Sequence, residues 1–273
     1  MQDQQGRVPG MIKAIGILEL IFHAAVRSIR KGHGNAIVGL LINIAQTVAL
    51  VLVFWAVFAF LGMRGAGLRG DFLMFLMTGV FLFMCHVKAL TAVVGSEGPT
   101  SPMMKHAPMN TIIAIGGAAL GELYTQVLSL LVVLFFYHVL WEPLAIDQPG
   151  AAFGVLLLAW FAGLGLGMVM LALKPWAPNA VKLVTQIYTR FNMIASGKML
   201  VANMLPASFL PYFAWNPLFH MIDQARGYTF INYNPFNTSL AYPIYFALVV
   251  LVLGLMGEFY TRRNISLSRT ARQ

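Results

Sequence analysis

Apolar residues gather in six long runs, at 37–61, 71–94, 111–139, 151–173, 182–204 and 240–260, divided by short polar or proline-broken stretches. Crossing about 30 Å of hydrocarbon takes roughly 20 mostly apolar residues in an α-helix, so the pattern predicts six transmembrane helices. The third run is long enough to tilt or to extend beyond the bilayer. The stretch before them has a different rhythm. In MIKAIGILELIFHAAVRSIRK (11–31), Ile15, Leu18, Phe22, Ala25 and Ile29 recur at steps of three and four. Lys13, Glu19, His23, Arg27, Arg30 and Lys31 fall mainly on the other face, which Leu20 interrupts. This predicts an amphipathic helix lying in the membrane interface, apolar side down. A soluble helix packed on a partner has the same signature. Gly32-His33-Gly34 ends it.

One stretch fits neither class. LPASFLPYFAWNPLFHMIDQARGYTF (205–230) is greasy, but it carries Pro206, Pro211 and Pro217 together with Asn216, His220, Asp223 and Arg226. Each proline restricts the residue before it to extended backbone, so one straight spanning helix is excluded. Short helices that dip into the membrane and return are predicted, their irregular backbone shielded by protein or lining a cavity. The stretch 95–111, GSEGPTSPMMKHAPMNT, permits a one- or two-turn helix between Pro102 and Pro108. It is either a rigid protrusion that docks a partner or a plain connector.

Composition agrees with the lipid reading. The chain of 273 residues is 59% hydrophobic and 10% charged, with a mean hydropathy of +0.76, whereas soluble domains run at about 45–50% apolar and about 25% charged. The net charge of +9 does not point to nucleic acid, because the basic residues sit at the termini and beside the ends of apolar runs, where topology signals lie. With the first residues placed in the cytoplasm, twelve lysines and arginines fall inside, three outside (Arg64, Arg69, Arg226) and three within spans (Lys88, Arg190, Lys198). Both termini are therefore expected in the cytoplasm, with 205–239 outside. No cleaved signal is expected, because MQDQQGRVPGMIKAIG lacks the charged, apolar and small-residue regions in order.

Signatures of catalysis are weak. Cys85 is the single cysteine, so no disulfide or metal cluster is expected, and adjacent Cys85 and His86 point in different directions on a helix. His220 and Asp223 share a helix face, as a catalytic pair or as an interfacial hydrogen-bonded pair, without a nucleophile or third ligand nearby. Ser196-Gly197-Lys198 matches the end of the phosphate-loop pattern G-x-x-x-x-G-K-[ST], but Asn192 stands for the first glycine and Met199 for the hydroxyl residue. ATP binding by this route is not expected. Buried charge is more informative, since each charge within a span costs a few kcal/mol. Lys88 and Lys198 lie near opposite ends of their spans and are expected to snorkel. Glu122 and Arg190 lie deeper, and either pair across helices or line a polar pathway.

The order of these parts resembles the permease subunit of ATP-binding-cassette exporters for cell-surface polysaccharide, of the capsule, O-antigen and teichoic acid kind. The resemblance spans nearly the whole chain. Its most specific block is Arg190, Ser196-Gly197, Pro206, Asn216-Pro217-Leu218, His220 and Arg226. RSIRKGHGNAIVGLL is similar to the family's R-x-R-Y-x-x-S-x-L-G block through Arg27, Arg30 and Gly39, with His33-Gly34 in place of the tyrosine region. The resemblance implies an all-α integral membrane permease of the bacterial inner membrane. Its parts would be an interface helix (11–31), six spans, re-entrant short helices (205–239) and a cytoplasmic tail (261–273).

It further implies a homodimer with two separate ATPase subunits, which would bind the ATP and magnesium. Arg27 and Arg30 of the interface helix, and Pro102, Met103, Lys105 and His106 of the protrusion, would contact those subunits. A lipid-linked polymer would pass along the dimer interface. Glu122, Arg190, Tyr212, Phe213, Trp215, Phe219 and Arg226 would be channel or substrate residues, and Pro206, Asn216, Pro217 and His220 would carry the re-entrant motif. Aromatic rings in 209–233 either stack on sugar C–H faces or anchor the fold at the headgroups. An exporter permease for a small molecule or lipid, a membrane-embedded transferase using His220 and Asp223, and a secondary transporter (for which no inverted repeat is visible) are the other readings.

Overall fold

The computed structural model of the chain describes residues 10–31, 35–60, 71–98 and 111–270. These residues form α1 (Gly10–Lys31), α2 (Ala36–Phe60), α3 (Phe72–Val94), α4 (Thr111–Leu140), α5 (Pro149–Leu173), α6 (Pro178–Ala195), α7 (Leu210–Ala214), α8 (Pro217–Thr229) and α9 (Ala241–Thr270). No strand occurs among them. Among the described residues, five helices are long and apolar enough to cross a membrane: α2, α3, α4, α5 and α9.

The fifth expected span, 182–204, does not form one helix. Its helical part, α6, runs from Pro178 to Ala195, and Lys182, Gln186 and Arg190 lower its hydropathy. The chain then turns at Ser196-Gly197 and continues irregularly to Pro206. Gly197 has φ +66°, a left-handed backbone that glycine adopts without steric cost. An added Cβ there would also lie 2.3 Å from Phe219 Cδ2, so no larger residue fits at this turn.

α3 is the central helix, buried along most of its length among α2, α4, α5 and α8. Without a hydrophobic driving force between helices in lipid, close approach through small residues holds the bundle. α5 shows this on two sides. A Cβ on Gly163 would lie 2.3 Å from the His86 carbonyl oxygen of α3, and one on Gly165 would lie 2.8 Å from Val250 of α9. Polar ties lock both ends. Asp71 caps α3 by accepting from Leu73 N and Met74 N, and Tyr137 of α4 donates to its Oδ2 at 2.6 Å. At the opposite end, Lys174 donates to the Val94 carbonyl at 2.8 Å.

α1 packs on α4, where a Cβ on Gly117 would lie 2.5 Å from Ala24 Cβ and one on Gly121 3.0 Å from the Ala25 carbonyl. Ala25 and Ile29 of the expected apolar stripe face this contact, whereas Leu18 and Phe22 are exposed. The helix expected at 11–31 is therefore present, with its stripe divided between α4 and the surroundings. Arg27 lies on its exposed side. The Arg30 side chain, and Pro102, Met103, Lys105 and His106 of the expected protrusion, lie outside the described residues.

Candidate functional site: the broken segment before the last helix

α3 serves as a ruler of depth at about 1.5 Å per residue. Measured from its start at Asp71, Phe75 lies about 6 Å in, Gly79 about 12 Å, Phe83 about 18 Å and His86 about 22 Å. α6 comes alongside this ruler: the Tyr188 hydroxyl is 2.8 Å from His86 Nε2. Because His86 Nδ1 faces the Ala159 carbonyl at 3.0 Å, which can only accept, Nδ1 carries the proton and Nε2 accepts from Tyr188. Lys198, just beyond the turn, touches Gly79. The chain at 198 is thus still inside the bundle.

After the turn the chain passes through a short 3-10 helix at Ala202–Met204 and α7, and comes back to the end of α6 at Asn216. Asn216 joins the two. Its Oδ1 accepts from Leu218 N at 3.0 Å, capping α8, and its Nδ2 donates to Asn192 Oδ1 and to the Ala195 carbonyl, both at 2.9 Å. Pro217 follows at the first helical position, where its missing N–H costs nothing and its fixed φ suits the helix. α8 then leads from this contact to the α4–α5 connection, where Asp147 N and Gln148 N bond the Thr229 and Tyr228 carbonyls. The segment meets α6's last turn at Asn216 and returns along α8, which is about 20 Å long.

Two buried cations hold the dip. Arg226 donates to the Gly197, Lys198 and Leu200 carbonyls, satisfying an irregular turn that has few partners of its own, and its guanidinium lies 3.9 Å from the Phe75 ring centroid. Lys198 is 1% exposed. Its ammonium lies 3.6 Å from the Phe83 ring centroid and 5.1 Å from that of Phe54, and its Nζ has no hydrogen-bond partner among the described residues. The snorkelling expected of Lys198 does not occur. The turn holds its backbone against Gly79, and two aromatic faces take the charge in place of water.

Asp223 accepts from Tyr233 and, at 2.7 Å, from Thr238. Burial and that carboxylate push the Tyr233 phenol above its ordinary pKa, so it stays a donor. His220 accepts from Ser239 N at Nδ1 (3.1 Å), which places its proton on Nε2, 2.7 Å from the Ala214 carbonyl. The expected pairing of His220 with Asp223 is therefore not made. Both are tied to the 230–240 loop, and His220 has no nitrogen left for proton transfer.

The remaining predicted residues divide by environment. Tyr212 and Trp215 are exposed, Phe213 is half-buried, and Phe219 and Arg226 are buried. Trp215 meets Phe191 of α6 at 5.5 Å between ring centroids. Pro206 stands before α7, its carbonyl accepting from Phe209 N and Leu210 N. Arg190 is exposed on α6, and Glu122 is half-buried on α4. Glu122 Oε1 accepts from Gln126 at 2.6 Å, so the two deep charges do not pair with each other. Glu122 instead borders a cavity between α1, α2, α3 and α4. The ring partners Phe54, Phe75 and Phe83 had no signal in the sequence, because a cation-bearing phenylalanine looks like any other apolar position of a span.

Taken together, the described residues define an all-helical membrane protein with a broken segment before its last helix. No family model matches the chain. Over 234 residues it is 24% identical to the polysialic acid transport protein KpsM of Escherichia coli, covering 84% of this chain and 88% of that protein. A second Escherichia coli protein of the same name is 23% identical over the same shares. The resemblance read from the sequence is borne out: over most of its length the chain is similar to polysialic acid transport proteins.

Proposed function

We propose that this chain is the membrane-embedded permease of an ATP-driven exporter of cell-surface polysaccharide. The re-entrant hairpin carries the reading. It is built by the Ser196-Gly197, Asn216-Pro217-Leu218, His220 and Arg226 block, in a chain similar to polysialic acid transport proteins over most of its length. In this reading the chain is one membrane domain of the bacterial inner membrane. α6 counts as the fifth of six crossings, which returns both termini to the cytoplasm in line with the charge distribution. The hairpin caps the outer side, its exposed Tyr212 and Trp215 facing lipid headgroups or sugar.

Two copies form the channel, the polymer is lipid-linked and passes between them, and Arg190 borders the path. Exposed Leu183, Ile187, Phe191 and Ile194 on α6 leave that face free for a second copy. The chain does no chemistry of its own. ATP and magnesium are bound by two partner ATPase subunits, docked under α1 through Arg27 and Arg30 and against the 99–108 segment.

Purification of the tagged chain from its native membrane tests the assembly. The expected result is a complex of two permease copies with two ATPase subunits, lost when residues 101–107 are replaced by a glycine-serine linker. Recovery of the chain without any ATPase would overturn the proposal.

A further inference from the structure

A cavity of about 400 Å³ lies between α1, α2, α3 and α4, within the usual size of a small-ligand site. Both signs of charge reach it. Lys88 enters from α3, donating to Gln46 Oε1 of α2 at 2.9 Å. Glu122 enters from α4, and its Oε1 accepts from Gln126 Nε2. No salt bridge joins them among the described residues. Between the two, Gln126 also donates to Asn43 Oδ1 at 3.2 Å, and Asn43 donates to Ser129 at 2.9 Å, so the floor is a fixed polar network. Gln126 Oε1 is buried there without a partner.

A cation and an anion held apart among membrane helices are costly unless something bridges them. The position says what does. Lys88 lies six residues before the end of α3 at Val94, about 9 Å inside that end. The same cavity is bordered by Ser28 and Ile29 near the end of α1 and by Gly39 near the start of α2. The mouth of the cavity thus lies beside the end of α1 and the start of α2. The rim residues Ile37 and Tyr124 are exposed, so the cavity opens at the surface of the bundle, and Leu40, Ile42 and Leu128 give it an apolar wall.

We infer that this cavity is a binding site for a zwitterionic phospholipid whose headgroup ends in a primary amine. The phosphate sits on Lys88 and the ammonium on Glu122, where it donates hydrogen bonds to the carboxylate. A quaternary ammonium of the choline type has no N–H to donate and binds less well. The site is independent of what the protein exports and of how many copies assemble.

The test is native mass spectrometry of the full chain, delipidated and titrated with dioleoyl phosphatidylethanolamine, phosphatidylcholine or phosphatidylglycerol. Phosphatidylethanolamine is expected to bind about tenfold more tightly than phosphatidylcholine, the scale of one charge-assisted hydrogen bond. Glu122→Gln removes that preference, and Lys88→Gln weakens both lipids. Equal retention of the three lipids, a preference for phosphatidylglycerol, or an unchanged preference in Glu122→Gln would overturn the assignment. Should the variants fail to fold, thermal shifts of the unmodified chain decide. A larger rise in Tm with phosphatidylethanolamine than with phosphatidylcholine supports the site, and equal shifts refute it.

Discussion

Asn216 does two jobs that substitution can separate. Its oxygen caps α8, and its amide nitrogen ties that cap to the end of α6. Asp serves as an N-cap as well as Asn does, so Asn216→Asp keeps the first job. It loses the second, because an ionised carboxylate has no donor for Asn192 Oδ1 or for the Ala195 carbonyl and turns an acceptor toward both. Asn216 is 2% exposed, so water does not replace the lost bonds. Stranding a buried acceptor costs about 1–3 kcal/mol, although interhelical bonds in membrane proteins average nearer ~0.6 kcal/mol. We therefore expect about 2–4 kcal/mol for Asn216→Asp. Asn216→Ala loses the cap, about 1 kcal/mol, and strands the same acceptors, but adds no buried charge. The measurement is thermal unfolding of the purified full chain in one detergent. The predicted order of Tm is wild type, then Asn216→Ala, with Asn216→Asp equal to it or lower. If Asn216→Asp unfolds with the wild type while Asn216→Ala does not, the residue is only a cap and the tie to α6 carries no weight.

Other consequences are simpler. Gly163→Val places a side chain 2.3 Å from the His86 carbonyl oxygen and should abolish recovery of folded monodisperse protein. Gly150→Val, with nothing within 4 Å, should be recovered normally, and equal recovery of both would contradict the α3–α5 packing. His220→Ala should lower Tm by stranding Ser239 N and the Ala214 carbonyl, and no purified-chain transferase activity should accompany the wild-type histidine. In a Cys85→Ser background, a cysteine at Phe213 should be labelled by an impermeant reagent from outside the cell; labelling only from the cytoplasm would reverse the proposed orientation.

The long apolar runs announced themselves because a bilayer demands length and apolarity together, and α2, α3, α4, α5 and α9 match five of them closely. The prolines at 206, 211 and 217 likewise disclosed the broken backbone, since their restriction is local. What pattern could not show is where the break begins. The apolar run 182–204 continues through Gly197, yet the helix ends at Ala195 and Gly197 turns at positive φ against the Phe219 ring. From that follow the burial of Lys198 and of Arg226, which one-dimensional depth places at the outer edge. Their settings depend on Phe54, Phe75 and Phe83, contributed by helices more than a hundred residues away in sequence. The same holds for Glu122. Its partner Gln126 is one turn along its own helix, but the cavity it borders takes four helices to build.

The central proposal is that the chain exports polysaccharide, and the location of surface glycan in a deletion strain tests it most directly. Loss of the chain should leave the polymer inside the cell, with surface glycan restored by the wild-type chain and not by Gly163→Val. Undiminished surface glycan after deletion would contradict it.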